Sequence, residues 1–136
     1  MRVTFTIPGK PQGKGRPRAS RDGHMYTPKT TREYEKLISI CYKMQSGLDF
    51  GDAPISMSIR MYFPIPKSTP KAKRVLMVSD DIRPTVKPDI DNVMKSICDA
   101  LNGIAYKDDT QIVSAFLYKY YAEDPRVDVD IEEVYP

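Results

Sequence analysis

The sequence predicts an α+β (mixed α/β) domain in which two main helices pack on one face of a small mixed sheet. Short runs near the start, middle and end of the chain alternate apolar with polar residues, as half-buried strands do. Two longer segments carry apolar residues at helical spacing. At 136 residues the chain is large enough to bury one core, and we predict a single domain over residues 1–136.

The predicted strands are defined by alternation and by β-favouring residues. Residues 3–7 form the first strand, and residues 55–63 give the clearest alternation in the sequence. Residues 112–121 are rich in aromatic side chains, which fit either base stacking or cross-strand packing. Residues 127–131 alternate apolar with acidic residues and predict a final strand with an acidic outer face.

The two main helices are predicted from their apolar stripes and from residues at their ends. Thr30 and Glu33 have the spacing of a capping box at the start of the first helix, and Gly47 ends it. The second helix is expected to start after Asp91 as its N-cap and to end before Gly103.

The composition excludes several classes of protein. No apolar run approaches the ~20 residues that a membrane span needs, and the first residues lack the apolar run of a signal peptide. We therefore expect a cytoplasmic protein without a membrane partner. Cys41 and Cys98 fall on apolar helix faces as reduced thiols, and with the single histidine, His24, they cannot form a structural zinc site. Any metal must be held by oxygen, which favours Mg²⁺ or Mn²⁺.

The charge is distributed unevenly along the chain. The net charge is +3, but residues 1–40 carry +6, residues 67–87 carry +4 and residues 88–136 carry −7. A basic region beside an acidic region is typical of a protein that binds a polyanion on one surface and cations on another. A solvated surface that is merely uneven is the alternative.

Two segments supply the basic residues that we expect to contact backbone phosphates. One is a Gly- and Pro-rich loop over residues 9–23, the basic arm, and the other is a short helix predicted over residues 71–77 within an irregular stretch. A solvated loop and a plain linker are the respective alternatives. The candidate DNA-binding residues are Lys10, Lys14, Arg16, Arg18, Arg21, Lys71, Lys73 and Arg74.

An acidic motif follows these segments. If the preceding proline keeps the chain extended, Asp89 and Asp91 point the same way. One member of the later pair Asp108-Asp109 supplies a third carboxylate. Three carboxylates with open positions for water and phosphate suit Mg²⁺ and phosphodiester hydrolysis.

Lys95 lies one helical turn after Asp91 and has three interpretations. It can neutralise charge in a transition state, orient a nucleophilic water, or simply pair with Asp91 and Asp99 at i,i+4 spacing. The residues themselves leave these roles open.

These segments resemble the signature of a known family. The RusA family of Holliday junction resolvases has a signature similar to KPDIDNVMKSICDALNG with DDTQI shortly after it. Near the start, the segments IPGKPQGKGRPR and YTPKTTREYEKL also resemble this family. The resemblance covers most of the chain and implies a RusA-like fold and a single endonuclease domain. It also implies Mg²⁺-dependent homodimers, with Mn²⁺ as a substitute, that make paired nicks in branched DNA at four-way junctions.

The resemblance assigns roles within the acidic motif. It implies that Asp89, Asp91 and Asp109 are metal ligands and that Lys95 is the catalytic lysine, because the essential acid of the family matches the second member of the later pair. Asp108 and Asp99 then become bystanders.

The implied function is a structure-selective endodeoxyribonuclease that resolves Holliday junctions during DNA recombination and repair. One alternative is a branched-DNA-binding module without catalysis, in which the acids are structural. Another is a different DxD metal-dependent enzyme, such as a nucleotide-sugar transferase. The small size, the basic arm and the lack of a predicted nucleotide-binding βαβ unit count against the transferase.

Overall fold

A computed structural model describes residues 1–135. Its elements follow in the order β1 Arg2–Pro8, β2 Arg18–Ala19, β3 Met25–Tyr26, α1 Lys29–Gln45, β4 Ile55–Pro64, α2 Lys71–Val78, α3 Ile90–Leu101, a 3-10 helix Asp109–Gln111, β5 Ile112–Ala122 and β6 Arg126–Glu133. No helix in this part of the chain combines the length and the apolar character needed to cross a membrane.

Four strands form a mixed sheet in the order β1-β6-β4-β5. β6 runs antiparallel to both β1 and β4, whereas β4 and β5 are parallel. Two neighbouring parallel strands need a long crossover connection, and here that connection contains α2 and α3. The α+β class with a mixed sheet is confirmed, and the short helix predicted over residues 71–77 is α2.

The core lies between one face of this sheet and the helices α1 and α3. Alternate residues of β4 from Ile55 to Phe63 are buried, as the alternation of the sequence predicts. On the helices, the buried apolar residues of the core include Tyr34, Ile38, Tyr42, Val93, Ile97 and Leu101. Both main helices therefore cover the same face of the sheet, and α3 is held firmly beside β5.

The opposite face of the sheet carries aromatic and charged side chains. The rings of Tyr62 and Tyr120 stack across β4 and β5 with centroids 5.5 Å apart, and Tyr118 stacks beside Tyr120. Arg126 lies over Tyr62 and Arg83 over Tyr120, at cation–π distances of 4.0 and 4.2 Å. These tyrosines of β5 therefore pack across strands on the outer face of the sheet.

The helix ends were predicted more accurately than the helix starts. Gly47 and Gly103 follow the last turns of α1 and α3 with φ of 72° and 77°, a conformation that favours glycine. The predicted capping box of Thr30 with Glu33 is wrong, because α1 begins at Lys29 after Pro28 and has no side-chain cap. Proline fits this position since it has no N–H to leave unpaired.

The start of α3 also differs from its prediction. The N-cap is Asp89 and the helix begins at Ile90, so Asp91 already lies in the first helical turn. The expectation that Asp89 and Asp91 share one face of an extended segment is therefore wrong. A helical first turn directs these two side chains to different sides of the helix start.

The basic arm contains more regular structure than its composition predicts. β2 and β3 pair as a small antiparallel hairpin, with Arg18 opposite Tyr26. The intervening turn is closed by a hydrogen bond from the Ser20 N–H to the His24 carbonyl, 2.7 Å, and contains Gly23 at φ 86°. Arg18 in β2 and Arg21 in the turn are both exposed.

Candidate active site

An open cavity of about 380 Å³ lies between α3, the 3-10 helix and the start of β5. Asp91 and Lys95 reach it from α3, where they are four residues apart and share one face. Asp109 reaches it from the 3-10 helix. The fold thus brings together three of the four residues predicted to be catalytic.

The remaining predicted ligand, Asp89, lies on a neighbouring cavity. That cavity is lined by Gly13 and Arg16 of the basic arm, by Lys87 and Pro88, and by Asp89 and Asn92. The Asp89 side chain is exposed there, next to the arm, because the N-cap residue projects away from the first helical turn. Its surroundings are those of a carboxylate at the edge of a basic surface.

Gln111 holds the turn that carries Asp109. Its side-chain nitrogen donates to the carbonyls of Gly51 and Ala53 at 2.8 and 2.9 Å. Its side-chain oxygen accepts from the N–H groups of Lys107 and Asp108, also at 2.8 and 2.9 Å. One amide thereby ties the turn to the loop before β4, a role that the DDTQI motif does not reveal by itself.

Asp108 and Asp109 have different environments. Asp108 caps the 3-10 helix, and its carboxylate accepts a hydrogen bond from the Thr110 N–H at 3.2 Å. Hydrogen bonding to the Thr110 side chain lowers the pKa of Asp108 most, and the bond from its N–H adds to that effect. Asp109 instead faces the cavity with Asp91 and Lys95. The two neighbouring acids therefore divide into a cap and a cavity residue, in the order that the family resemblance implies.

Lys95 forms an ion pair with Asp99, which was expected to be a bystander. The Lys95 ammonium lies 3.2 Å from one oxygen of Asp99, and the Lys14 ammonium lies 2.8 Å from the other. Lys14 also contacts Glu35 of α1 at 2.6 Å. Asp99 is therefore the shared partner of a lysine in the cavity and a lysine of the basic arm.

These contacts set the charge states of the three groups. The hydrogen bond from Lys95 to Asp99 raises the pKa of Lys95, so this lysine stays protonated at neutral pH and acts as a cation. Desolvation raises the pKa of Asp99, but the hydrogen bonds from Lys14 and Lys95 outweigh it and the net pKa is lowered. Desolvation lowers the pKa of Lys14, and its bonds to Asp99 and Glu35 reverse that effect.

Cys98 lies against the same cavity as a buried free thiol. Burial raises its pKa to about 11, so it remains a neutral thiol at physiological pH. With Met94, Ile112 and Ala115 it makes one wall of the cavity apolar. Cys41 and Cys98 are both free and buried, which fits their predicted place on apolar helix faces.

The side-chain oxygens in the cavity fit a hard divalent cation. Among residues 1–135, no group of three or more His, Cys, Asp or Glu side chains is close enough to hold a metal ion. Asp91 and Asp109 nevertheless supply two carboxylates to one open cavity. Mg²⁺ is commonly held by one or two carboxylates, with water and substrate phosphate completing its ligands, so this pair fits Mg²⁺ with DNA present.

The predicted DNA-binding residues fall into two groups. Six are exposed and form no ion pair within residues 1–135, namely Lys10, Arg16, Arg18, Arg21, Lys71 and Lys73. Arg74 is paired with Glu123 at 2.7 Å. Lys14 corrects the expectation most clearly, because two carboxylates of the protein already engage its partly shielded ammonium.

Comparison with known proteins agrees with this geometry. The family model described as Endodeoxyribonuclease RusA matches residues 8–132. The chain is also 38% identical over 137 residues to the protein named "Uncharacterized protein YqaN" of Bacillus subtilis (strain 168), an alignment that covers 97% of this chain and 96% of that protein. The matched residues include the basic arm, the DxDN motif of α3 and the acidic turn before β5. The chain therefore belongs to the RusA endodeoxyribonuclease family.

Proposed function

We propose that this protein is a structure-selective endodeoxyribonuclease that resolves Holliday junctions during DNA recombination and repair. The observation that carries the proposal is the cavity in which Asp91, Asp109 and a protonated Lys95 meet. We further propose that residues 1–136 act as one domain in the cytoplasm. Family membership supports hydrolysis of DNA, and the four-way junction is the more specific part of the proposal.

The reaction is the hydrolysis of one phosphodiester bond in each of two strands. A water oxygen bonds to phosphorus, the bond from phosphorus to one sugar oxygen breaks, and that oxygen takes up a proton. Negative charge accumulates on the phosphate oxygens in the transition state, and a nearby cation stabilises it. Lys95 has the charge and the location for this role.

Asp91 and Asp109 would hold Mg²⁺ or Mn²⁺, which would supply Lewis acidity and an activated water. Asp89, the third ligand that the family resemblance implies, lies on the neighbouring cavity. The carboxylates otherwise repel DNA phosphate. Lys95 in the cavity and Arg16 on the neighbouring cavity offset that repulsion.

The basic arm and α2 are the proposed DNA-binding surface. Lys10, Arg16, Arg18, Arg21, Lys71 and Lys73 are exposed cations suited to backbone phosphates. Phosphate contacts fix the position of DNA on the protein and read little sequence, as expected for an enzyme that recognises the shape of a branch.

We propose that the active species is a homodimer. A four-way junction is close to two-fold symmetric, and a two-fold dimer offers the same site to each of two strands. Paired nicks then follow from one binding event. Each copy of the chain brings one set of Asp91, Lys95 and Asp109, so a monomer would have to bind twice.

The test uses a labelled four-way junction with Mg²⁺, and a linear duplex of the same sequence as the control substrate. We expect paired cuts in the junction and little cutting of the duplex. Asp91→Asn should lower the cleavage rate at least about 100-fold, in the range seen when one essential group is removed. Junction binding should stay equal or become tighter, because a negative charge is lost.

Asp124→Asn is the matched control, since it removes a carboxylate in the turn between β5 and β6, outside the cavity. Wild-type protein that binds the junction without cutting it would favour the DNA-binding module. Cleavage by Asp91→Asn at the wild-type rate would show that this cavity is not the catalytic site.

A further inference from the structure

Four charged side chains form a continuous line from α1 through the basic arm to the cavity. Glu35 contacts Lys14 at 2.6 Å, Lys14 contacts Asp99 at 2.8 Å, and Asp99 contacts Lys95 at 3.2 Å. The four residues come from three separate segments of the chain. This arrangement differs from the local i,i+4 pair of Lys29 with Glu33 on the surface of α1.

The inner part of this line is shielded from water. The side chains of Glu35, Lys14 and Asp99 are 22%, 26% and 20% exposed, whereas Lys95 is 57% exposed. Ion pairs are screened less when they are partly buried, so the inner contacts are the more persistent ones. Lys95, at the open end and at the longer distance, can turn its ammonium toward a phosphate.

The backbone around Lys14 is fixed to the same two helices. The Lys14 N–H donates to the Asn92 carbonyl at 3.2 Å, and the Gly15 N–H donates to the hydroxyl of Thr31 at 2.9 Å. A Cβ at Gly13 would lie 2.4 Å from the Asn92 side-chain nitrogen. The arm therefore passes so close to the first turn of α3 that a side chain at Gly13 would require Asn92 to move.

We propose that Asp99 and Lys14 are positioning residues, which hold the catalytic lysine Lys95 in the cavity and hold the basic arm in register with it. The inference rests on the proposed role of Lys95 in cleavage. Asp99 divides its two oxygens between the arm and the cavity, so a phosphate bound by the arm lies at a defined distance from the lysine. DNA binding and bond cleavage are thereby coupled through one carboxylate.

The kinetic test compares turnover with binding. Asp99→Asn and Lys14→Met should each lower kcat on the junction by roughly 10- to 100-fold, as a misplaced catalytic group does, while junction Kd changes by less than about threefold. Asp99→Glu, which keeps the charge, should recover part of the rate. The double variant should lower kcat by a smaller factor than the product of the two single-variant factors, because both changes break the same contact.

Glu33→Gln is the matched control, since it breaks an exposed lysine–carboxylate pair on α1 that is not joined to the cavity. It should leave kcat and Kd unchanged. Lys14→Met leaves the sequence of α3 intact, so it decides the question if Asp99→Asn folds poorly. A wild-type kcat in both variants, or a loss of rate only in proportion to lost binding, overturns the proposal.

A second measurement needs neither DNA nor metal. Hydrogen exchange at the Lys14 and Gly15 amides should become faster in Asp99→Asn and stay unchanged in Glu33→Gln, because the ion pair keeps the arm against α3 and α1. Unchanged exchange in Asp99→Asn would contradict the link between arm and helix. Failure of wild-type protein to cut junctions would instead contradict the proposed function, with the exchange result still deciding whether the arm is held.

Discussion

Two adjacent aspartates show how much a side chain's role depends on its local backbone. Asp108 precedes the 3-10 helix and uses its carboxylate to accept from the Thr110 N–H, while Asp109 is the first helical residue and faces the cavity. The same chemical group thus serves as a helix cap at one position and as a candidate ligand at the next. Only the family resemblance separates the two in the sequence, because the pair itself is uniform and the cap depends on the turn geometry.

This difference gives a paired prediction. Asp109→Asn should abolish junction cleavage with little change in melting temperature. Asp108→Asn should keep cleavage and lower the melting temperature, since the amide is a weaker cap at neutral pH. Cleavage and thermal unfolding measured on the same two preparations check both statements. The reverse pattern would assign the metal to Asp108.

The pH dependence of the Asp108 effect follows from its lowered pKa. A carboxyl group with a lower pKa in the folded state contributes stability above its ordinary pKa of 3.8, and that contribution disappears as the pH falls through the folded value. The difference in unfolding free energy between wild type and Asp108→Asn should therefore be present at pH 7 and vanish in strong acid. Urea unfolding across this pH range measures it.

At the scale of elements, the turn before β5 depends on one amide. Gln111 makes four hydrogen bonds, two within this turn and two to the loop before β4. Gln111→Glu keeps the shape but sets a carboxylate against two carbonyl oxygens. We expect it to lower the free energy of unfolding by about 1–3 kcal/mol, the range for leaving buried polar groups unsatisfied.

Urea denaturation checks that loss, and the junction assay should show a lower rate because Asp109 is adjacent in the same turn. Gln45→Glu provides the comparison: this glutamine bonds the backbone of Thr6 at an exposed place away from the cavity. The Gln45→Glu variant should have a lower free energy of unfolding but the wild-type rate of junction cleavage. Equal effects of both variants on the rate would place Gln111 outside the site.

The elements themselves were largely predictable, and their ends explain which parts were not. The apolar–polar alternation of residues 55–63 and the apolar stripe of α3 each repeat over many residues. A single residue that does not fit the pattern therefore does not change the predicted element. Helix starts depend on one or two residues, and the proline at position 28 displaced the expected cap. The contact of Gly13 with Asn92 joins residues far apart in the chain, which no local pattern encodes.

At the scale of the whole molecule, charges that are unevenly distributed along the sequence are also unevenly distributed over the surface. The exposed Arg16 of the basic arm lines a cavity together with Asp89, which matches the interpretation of a polyanion-binding side next to acidic side chains. α2 lies at the other end of β5 from the cavity of Asp91 and Asp109, because its Arg74 pairs with Glu123. The ion-pair partners of the basic residues could not be predicted from the sequence. Lys14 and Arg74 looked like the other basic residues, but both are engaged by carboxylates of distant segments.

This distinction predicts the salt dependence of DNA binding. Arg18→Ala should weaken junction binding and reduce the slope of log Kd against log salt by about one unit, as expected for one lost phosphate contact. Arg74→Ala should change the slope less, because Glu123 already neutralises that arginine. Fluorescence anisotropy over a series of salt concentrations measures both slopes. Equal slopes for the two variants would contradict the division into free and paired cations.

The parallel pairing of β4 with β5 has a consequence for the order of folding. These neighbours are separated by residues 65–111, and closing so long a loop costs chain entropy before any pairing is gained. The loop contains Asp91 and Lys95, and Asp109 stands at its end. We therefore expect the reactive cavity to be among the last parts of the molecule to form, so that a partly folded chain can bind DNA through its arm without cutting it.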